Sequence, residues 1–299
     1  MNLVGLAPKV KRLAGGFAFV EGPIWNPAKG ELLFNDIPAS QRWSYTPQRG
    51  VKLISRSTNK ANGMTYDAQL RLVVCEHSTN SVVRFASDGR REVLASQYGG
   101  LELNSPNDVV VTREGCILFT DPTFGRNERF GMERPIPRPE RSVYCLAPSG
   151  DLRVVRDDFQ EPNGLCLSPD GSVLYVNDSP RAEIRAFGWS RDHCTDEGAI
   201  FANRIGNGVF GEGIVDGMKA DRAGNIWVTG PGGVWVFDPS GTHLGIVSVP
   251  EEVGNLHWGG DDFSDLYICA TSSLYRLQTA TSGAMEPFLH GLARGIAQQ

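Results

Sequence analysis

Along this chain the hydrophobic positions come in short runs of β-branched and aromatic residues, cut by Gly, Pro, Asp and Asn, and helical periodicity is nearly absent. That is the pattern of an all-β protein. The runs come in pairs, and the pairs recur. Phe19-Val20-Glu21-Gly22-Pro23-Ile24-Trp25 leads through a turn to Glu31-Leu32-Leu33-Phe34-Asn35-Asp36, and 62–66 leads to 70–77. Likewise 107–111 leads to 117–121, 163–168 to 172–178, 216–220 to 226–229, and 255–258 to 265–269. Several copies continue into a third run (SVVRFA, SVYCLA, EIRAFG, GVWVFD, SLYRLQ) and some into a fourth, such as DLRVV and THLGIVSV. The copies start 39 to 56 residues apart, at 21, 62, 107, 163, 216 and 255. Four strands repeated at that period predict a six-bladed β-propeller, with four-stranded blades around a central channel, as one domain over 1–299. A Pro- and Arg-rich insertion, RNERFGMERPIPRPER (126–141), falls between the second and third strands of the third blade and reads as a loop over one face.

In a propeller the first strand of each blade lines the channel, so the six starting positions converge on one axis. They are Glu21, Asn62, Asn107, Asn163, Asp216 and Asn255, each a carboxylate or an amide. A purely structural turn would accept Ser, Gly or Pro there equally well. Six oxygen-bearing side chains around one axis make a site for a hard divalent cation, Ca²⁺, Mg²⁺ or Mn²⁺. Gly164, next to Asn163, fits a close approach of backbone near the channel.

Composition narrows the chemistry further. The chain has 299 residues, 40 % hydrophobic and 21 % charged, with a formal net charge of -5 and no block of Lys or Arg. Phosphate binding needs a basic face, so nucleic acid is excluded as a partner. The six cysteines are scattered, without a CxxC pair, and most sit in apolar runs where a thiol acts as a small hydrophobe. No run approaches the ~18 apolar residues of a membrane helix, and the N-terminus lacks the apolar core of a signal peptide. The expectation is a cytoplasmic protein, with no membrane partner, acting as a monomer or weak homodimer. Its five histidines are too few for a His-rich zinc centre. His77 closes a second strand, and alternation puts His257 on the channel side with Asn255. No GxSxG elbow, GxGxxG or P-loop follows a strand, which disfavours triad, dinucleotide and P-loop chemistry. Asp36, Asp121 and Asp178 end second strands and either form turns or stand behind the site.

At EGPIW, SPNDVVV, FTDP, PNGLCLSPDGSVLYVND and DGMKADRAGNIWV, from about 15 to 278, the chain resembles the gluconolactonase family that includes regucalcin. The resemblance implies a six-bladed propeller with one divalent cation in the channel, Ca²⁺ foremost with Mg²⁺, Mn²⁺ or Zn²⁺ also admitted, and hydrolysis of a small-molecule sugar lactone. Carried over by motif, it implies Glu21, Asn163 and Asp216 as metal ligands, with Asn107 completing the shell or holding substrate. Asp216 is then also the general base, and Asp108 and Asp121 border the sugar, whose other contacts would be Asn62, His77 and His257. Regucalcin-like members carry an Arg two residues before the Asn that matches Asn107; here that place is Ser105, and CEH and NSPND look like the bacterial gluconolactonase branch. The implied reaction polarises the lactone carbonyl with the cation while water attacks. Amide ligands bind without neutralising the cation, which keeps its Lewis acidity. Other ester hydrolases, a phosphotriesterase among them, and a non-catalytic Ca²⁺-binding propeller would use the same ligand set.

Overall fold

The computed structural model describes residues 9–286, and six antiparallel sheets carry nearly all of their regular structure. Blade 1 is built from Val20–Asn26, Glu31–Asp36, Gln41–Thr46 and Gly50–Ser55, from the axis outward. Blade 2 follows with Ala61–Tyr66, Leu72–Glu76, Ser81–Phe85 and Arg91–Ala95, and blade 3 with Val109–Val111, Ile117–Asp121, Arg141–Leu146 and Leu152–Phe159. Blade 4 holds Pro162–Leu167, Val173–Asp178, Glu183–Ser190 and Ala199–Ala202, and blade 5 holds Met218–Ala220, Ile226–Gly230, Gly233–Phe237 and His243–Ser248. Blade 6 takes three strands from the end of the chain, Val253–Gly259, Asp265–Ala270 and Ser273–Gln278. Its fourth, Lys11–Gly15, comes from the beginning and pairs with Ser273–Gln278, which closes the ring. A propeller left open would expose the edge of its last sheet; this strand removes that edge.

Inner and second strands are almost wholly buried because both of their faces meet neighbouring blades. Beyond the polar residues at their starts they are mostly apolar, whereas outer strands such as Arg91–Ala95 alternate. The core is a set of contacts between blades. Trp227 of blade 5 meets Trp258 of blade 6 edge to face at 5.2 Å, and Trp25 of blade 1 stacks on Tyr267 of blade 6 at 5.4 Å. Such pairs add about 0.5–1.5 kcal/mol beyond the area they bury.

Two details of the inner strands prepare the channel mouth. In blades 1, 2 and 4 the ladder slips between Glu21 and Ile24, Ala61 and Met64, and Pro162 and Leu165. A bulge frees the intervening residues from the pleat and re-aims their side chains. Asn62 and Asn163 each lie in one, and Glu21, still opposite Asn35, borders the third. In blades 3 and 5 pairing with the second strand begins at Val109 and Met218, so Asn107 and Asp216 stand ahead of the ladder. The acidic ends of the second strands tie the approach to each inner strand: Asp36 accepts from the amides of Ala18 and Phe19, Asp121 from Asn104 and Ser105, and Asp178 from Gln160 and Glu161. Of the two roles open to these aspartates, the turn is the one the structure displays.

The long connection between Ile117–Asp121 and Arg141–Leu146 is the expected loop over one face, and it lies across the channel mouth. Lys60 Nζ donates to the carbonyls of Glu128 and Arg129, and His77 Nδ1 donates to that of Phe130 at 2.9 Å. Buried Arg126 donates to the carbonyls of Leu103 and Asn104. No helix among the described residues is long and apolar enough to cross a membrane.

Candidate active site

Glu21, Asn62, Asn107, Asn163 and Asp216 form the floor of a cavity of about 330 Å³ at the channel mouth. Their backbones are pinned from blade to blade. The carbonyl of Asn62 accepts from Asn35 Nδ2, that of Asn107 from the Gly63 amide, that of Asn163 from Thr120 Oγ1, and that of Asp216 from Asn177 Nδ2. The same tie continues from the Gly217 amide to the carbonyl of Gly254. Blade 6 therefore presents Gly254 at the ring position, and the expectation for Asn255 is off by one residue. Counted from Val253, which faces Ala270 as Val20 faces Asp36, Gly254 corresponds to Glu21; the bulge falls earlier in blade 6, so Asn255 rather than Gly254 faces Cys269. The gap is used, since a Cβ on Gly254 would lie 2.7 Å from Glu21 Oε1. Gly164 serves its expected purpose, because a Cβ there would meet the Asp216 carbonyl at 2.2 Å.

The side chains are held so that one oxygen of each stays uncommitted. Glu21 Oε2 accepts from the Gly22 amide and from Asn255 Nδ2 at 3.0 Å, and Oε1 accepts from no donor among the described residues. His77 donates through Nδ1 to Phe130, so its Nε2 is an acceptor and faces Asn62 Nδ2 at 3.4 Å, leaving Asn62 Oδ1 without a partner. Asn163 donates through Nδ2 to Ser179 Oγ at 3.0 Å, and its Oδ1 is likewise unpartnered. Three orphaned buried oxygens in one floor would cost about 1–3 kcal/mol each if nothing bound them.

Electrostatics point the same way. Burial, with Asp108 adding to it, pushes the Glu21 carboxyl up to about 7. Burial first, then Glu21 and Asp108, holds Asp216 well above the usual carboxylate range. Lys219 offsets this only in part, and a bound cation would supply the rest of the positive charge. No cluster of three His, Cys, Asp or Glu occurs among the described residues, because the floor reaches its oxygen count with amides. Glu21, Asn163 and Asp216, with Asn107 and Asn62 beside them, fit a hard divalent cation.

The model for the SMP-30/Gluconolactonase/LRE-like region matches residues 19–272. This chain belongs to that family. It is 28% identical over 302 residues to a gluconolactonase of Zymomonas mobilis, covering 94% of this chain and 84% of the relative. A solved gluconolactonase structure from Xanthomonas campestris superposes with a TM-score of 0.85 at 33% identity, over 93% of this chain and 91% of that one. A regucalcin from Agrobacterium tumefaciens, described as calcium-binding, has a TM-score of 0.79 at 19% identity, over 94% and 97%, and shares the fold.

In this SMP-30/gluconolactonase chain the structure brings together six of the expected residues, Glu21, Asn62, His77, Asn107, Asn163 and Asp216. Three expected substrate contacts stand elsewhere. Asp108 is buried beneath the floor, accepting from the Val109 amide at 2.9 Å, and Asp121 is spent on the amides of Asn104 and Ser105. His257 lies deeper in the channel, its Nδ1 donating to the Trp258 carbonyl at 2.6 Å and its Nε2 3.8 Å from Glu286. The reading of the residues missed the walls: Phe19 and Ile37 from blade 1, Phe124, Asn127, Arg129 and Phe130 from the long loop, and Ile214 and Glu252 from connections between blades. It also missed Ser179 and the supporting role of Asn255. A SPND or DGM motif marks the floor; nothing in a loop sequence says which side chains fold back over it.

Proposed function

We propose that this chain is a metal-dependent lactonase that opens an aldonolactone to the hydroxy acid, with Ca²⁺ as the cation. The observation that carries the reading is the floor itself, where Glu21 Oε1, Asn62 Oδ1 and Asn163 Oδ1 have no donor among the described residues, beside the carboxylates of Glu21 and Asp216. Family membership and the gluconolactonase relatives support the reaction class. Glu21, Asn163 and Asp216 would hold the cation, with Asn107 completing its shell, and when bound it would polarise the lactone carbonyl as a Lewis acid.

The chain's own residues supply the rest. Asp216 takes the proton of the attacking water, as a carboxylate of the floor that the bound cation would keep ionised. His77 stays neutral near pH 7, since burial pushes it down to about 4, and orients Asn62 through Nε2. Asn62 and Asn107 hold hydroxyls of the substrate. Described residues include six cysteines, all unpaired, which supports a reducing compartment and a cytoplasmic location.

Glucono-δ-lactone hydrolysis followed with a pH indicator, with and without EDTA and with each divalent cation restored, tests the reading. A rate above spontaneous opening that EDTA abolishes is expected. Asp216→Ala should lower kcat by about 10²-fold or more, the range of a lost general base. A rate indifferent to EDTA removes the metal, and an active Asp216→Ala removes Asp216 from the mechanism.

A further inference from the structure

Above its polar floor the cavity carries a collar of apolar side chains, Phe19, Ile37, Phe124, Phe130 and Ile214, interrupted by Asn127, Arg129 and Glu252. A fully hydroxylated ring needs hydrogen-bonding partners on all sides, and the five apolar side chains offer none. Part of the collar has no structural reason to be where it is. Ile214 is 44% exposed at the rim, and Phe210, four residues earlier, is fully exposed. Gly211 and Gly213, both at positive φ (154° and 122°), separate the two. Exposed large hydrophobics beside a cavity mark a binding surface. On the opposite side the rings of Phe19 and Phe130 pack edge to face at 5.3 Å, which fixes an apolar wall. Arg129 lies over the Phe130 ring at 5.0 Å and puts one charged edge on that wall.

We infer that the same site accepts lactones bearing an alkyl substituent, with the ester on the polar floor and the alkyl group in the apolar collar. The inference rests on the lactonase reading and extends it from polyhydroxylated to amphipathic substrates. A substituent on the ring carbon beside the ring oxygen points away from a carbonyl seated on the floor and enters the collar. The chemistry is unchanged. Water oxygen bonds to the acyl carbon, the acyl carbon–ring oxygen bond breaks, the freed oxygen leaves as an alcohol, and the new carboxylic acid releases its proton.

The test compares kcat/KM for δ-valerolactone, which has no side chain, with δ-decalactone, which carries a pentyl group, and includes glucono-δ-lactone. Each buried methylene is worth a factor of about three to four, so partial burial of the pentyl chain should favour δ-decalactone at least about tenfold. Ile214→Ser and Phe130→Ser, both on loops outside the blades, should each lower that preference about threefold or more, chiefly through KM. Thermal midpoints of both variants establish that they fold. If the unmodified protein opens δ-valerolactone or glucono-δ-lactone and shows no preference for δ-decalactone, the collar inference is overturned and the lactonase reading stands. A preference that both folded variants retain also overturns it. Failure to open any lactone ends the lactonase reading and the inference with it.

Discussion

At the scale of single residues, the site is explained by what each side chain does with its second polar atom. Asn163 gives its Nδ2 to Ser179 and Asn62 turns its Nδ2 to His77, so two amides present oxygen where an unrestrained amide could present either end. Asn163→Ala should weaken divalent-cation affinity by about tenfold or more, the loss of one ligand, while the metal-free melting point moves by only a few degrees. Calorimetric titration beside a melting curve in EDTA separates the two effects; a folded variant with unaltered affinity removes Asn163 from the ligand set. Protons give a second handle. Glu21 and Asp121 are pushed up to about 7 by burial, and Asp108 and Asp216 are raised for the same leading reason. A carboxyl raised on folding favours the folded state below its unfolded value, and that contribution is lost as pH rises through the folded value. His77, pushed down to about 4, opposes this between roughly pH 4 and 6.5 by penalising the folded state in acid. Four carboxyls outweigh one imidazole. The metal-free protein should therefore melt lower at pH 8 than at pH 6, and saturating cation should remove or reverse the difference. A metal-free melting point that rises over that window would contradict the raised carboxyls.

Strands and loops decide which residues the floor contains. Bulges in blades 1, 2 and 4 let a strand contribute a ligand without breaking its ladder on either side. Blade 6 shows how finely this is set. Gly254 occupies the ring position, and its missing side chain leaves room for Glu21 Oε1, while Asn255 one residue later steadies Glu21 Oε2. Gly254→Ala should thus keep the fold and lose cation affinity, because its Cβ meets the end of a side chain at 2.7 Å and no backbone atom. Gly164→Ala should lower the melting point and soluble yield as well, since its Cβ would strike the backbone carbonyl of Asp216. Soluble yield and melting points against calorimetric cation affinity distinguish the pair; equal behaviour of the two variants would dismiss the register assignment. Both the repeat and five of its six ring positions were legible in the sequence, from the period and from the residue types at each start. The sixth was not, because a one-residue offset at a bulge leaves the spacing of Asn255 looking regular.

For the whole molecule, ring closure converts six local sheets into one rigid frame around the channel. The Lys11–Gly15 strand completes blade 6 and covers the edge of Ser273–Gln278, with Arg12 Nε bonded to Ser273 Oγ at 2.9 Å. Deleting residues before Gly16 should lower the melting point by about ten degrees or more and promote association through the exposed edge. Differential scanning calorimetry and light scattering check this; an undisturbed monomer with the parent melting point would show that closure is dispensable. Rigidity matters at the floor, whose five residues come from five blades and are held by hydrogen bonds that run from one blade to the next.

Sequence by itself determined the architecture and the floor. Short apolar runs of even spacing can bury themselves only as stacked sheets, and polar residues recurring at one point of each copy must meet on the axis. Tertiary structure alone decided the walls, the offset in blade 6 and the duties of Asp108, Asp121 and His257. Those depend on a loop folding back from blade 3, on the slip of a ladder at a bulge, and on which backbone amides lie within reach of a buried carboxylate. None of these is a property of local periodicity. They arise where segments distant in the chain compete for the same space and the same hydrogen bonds.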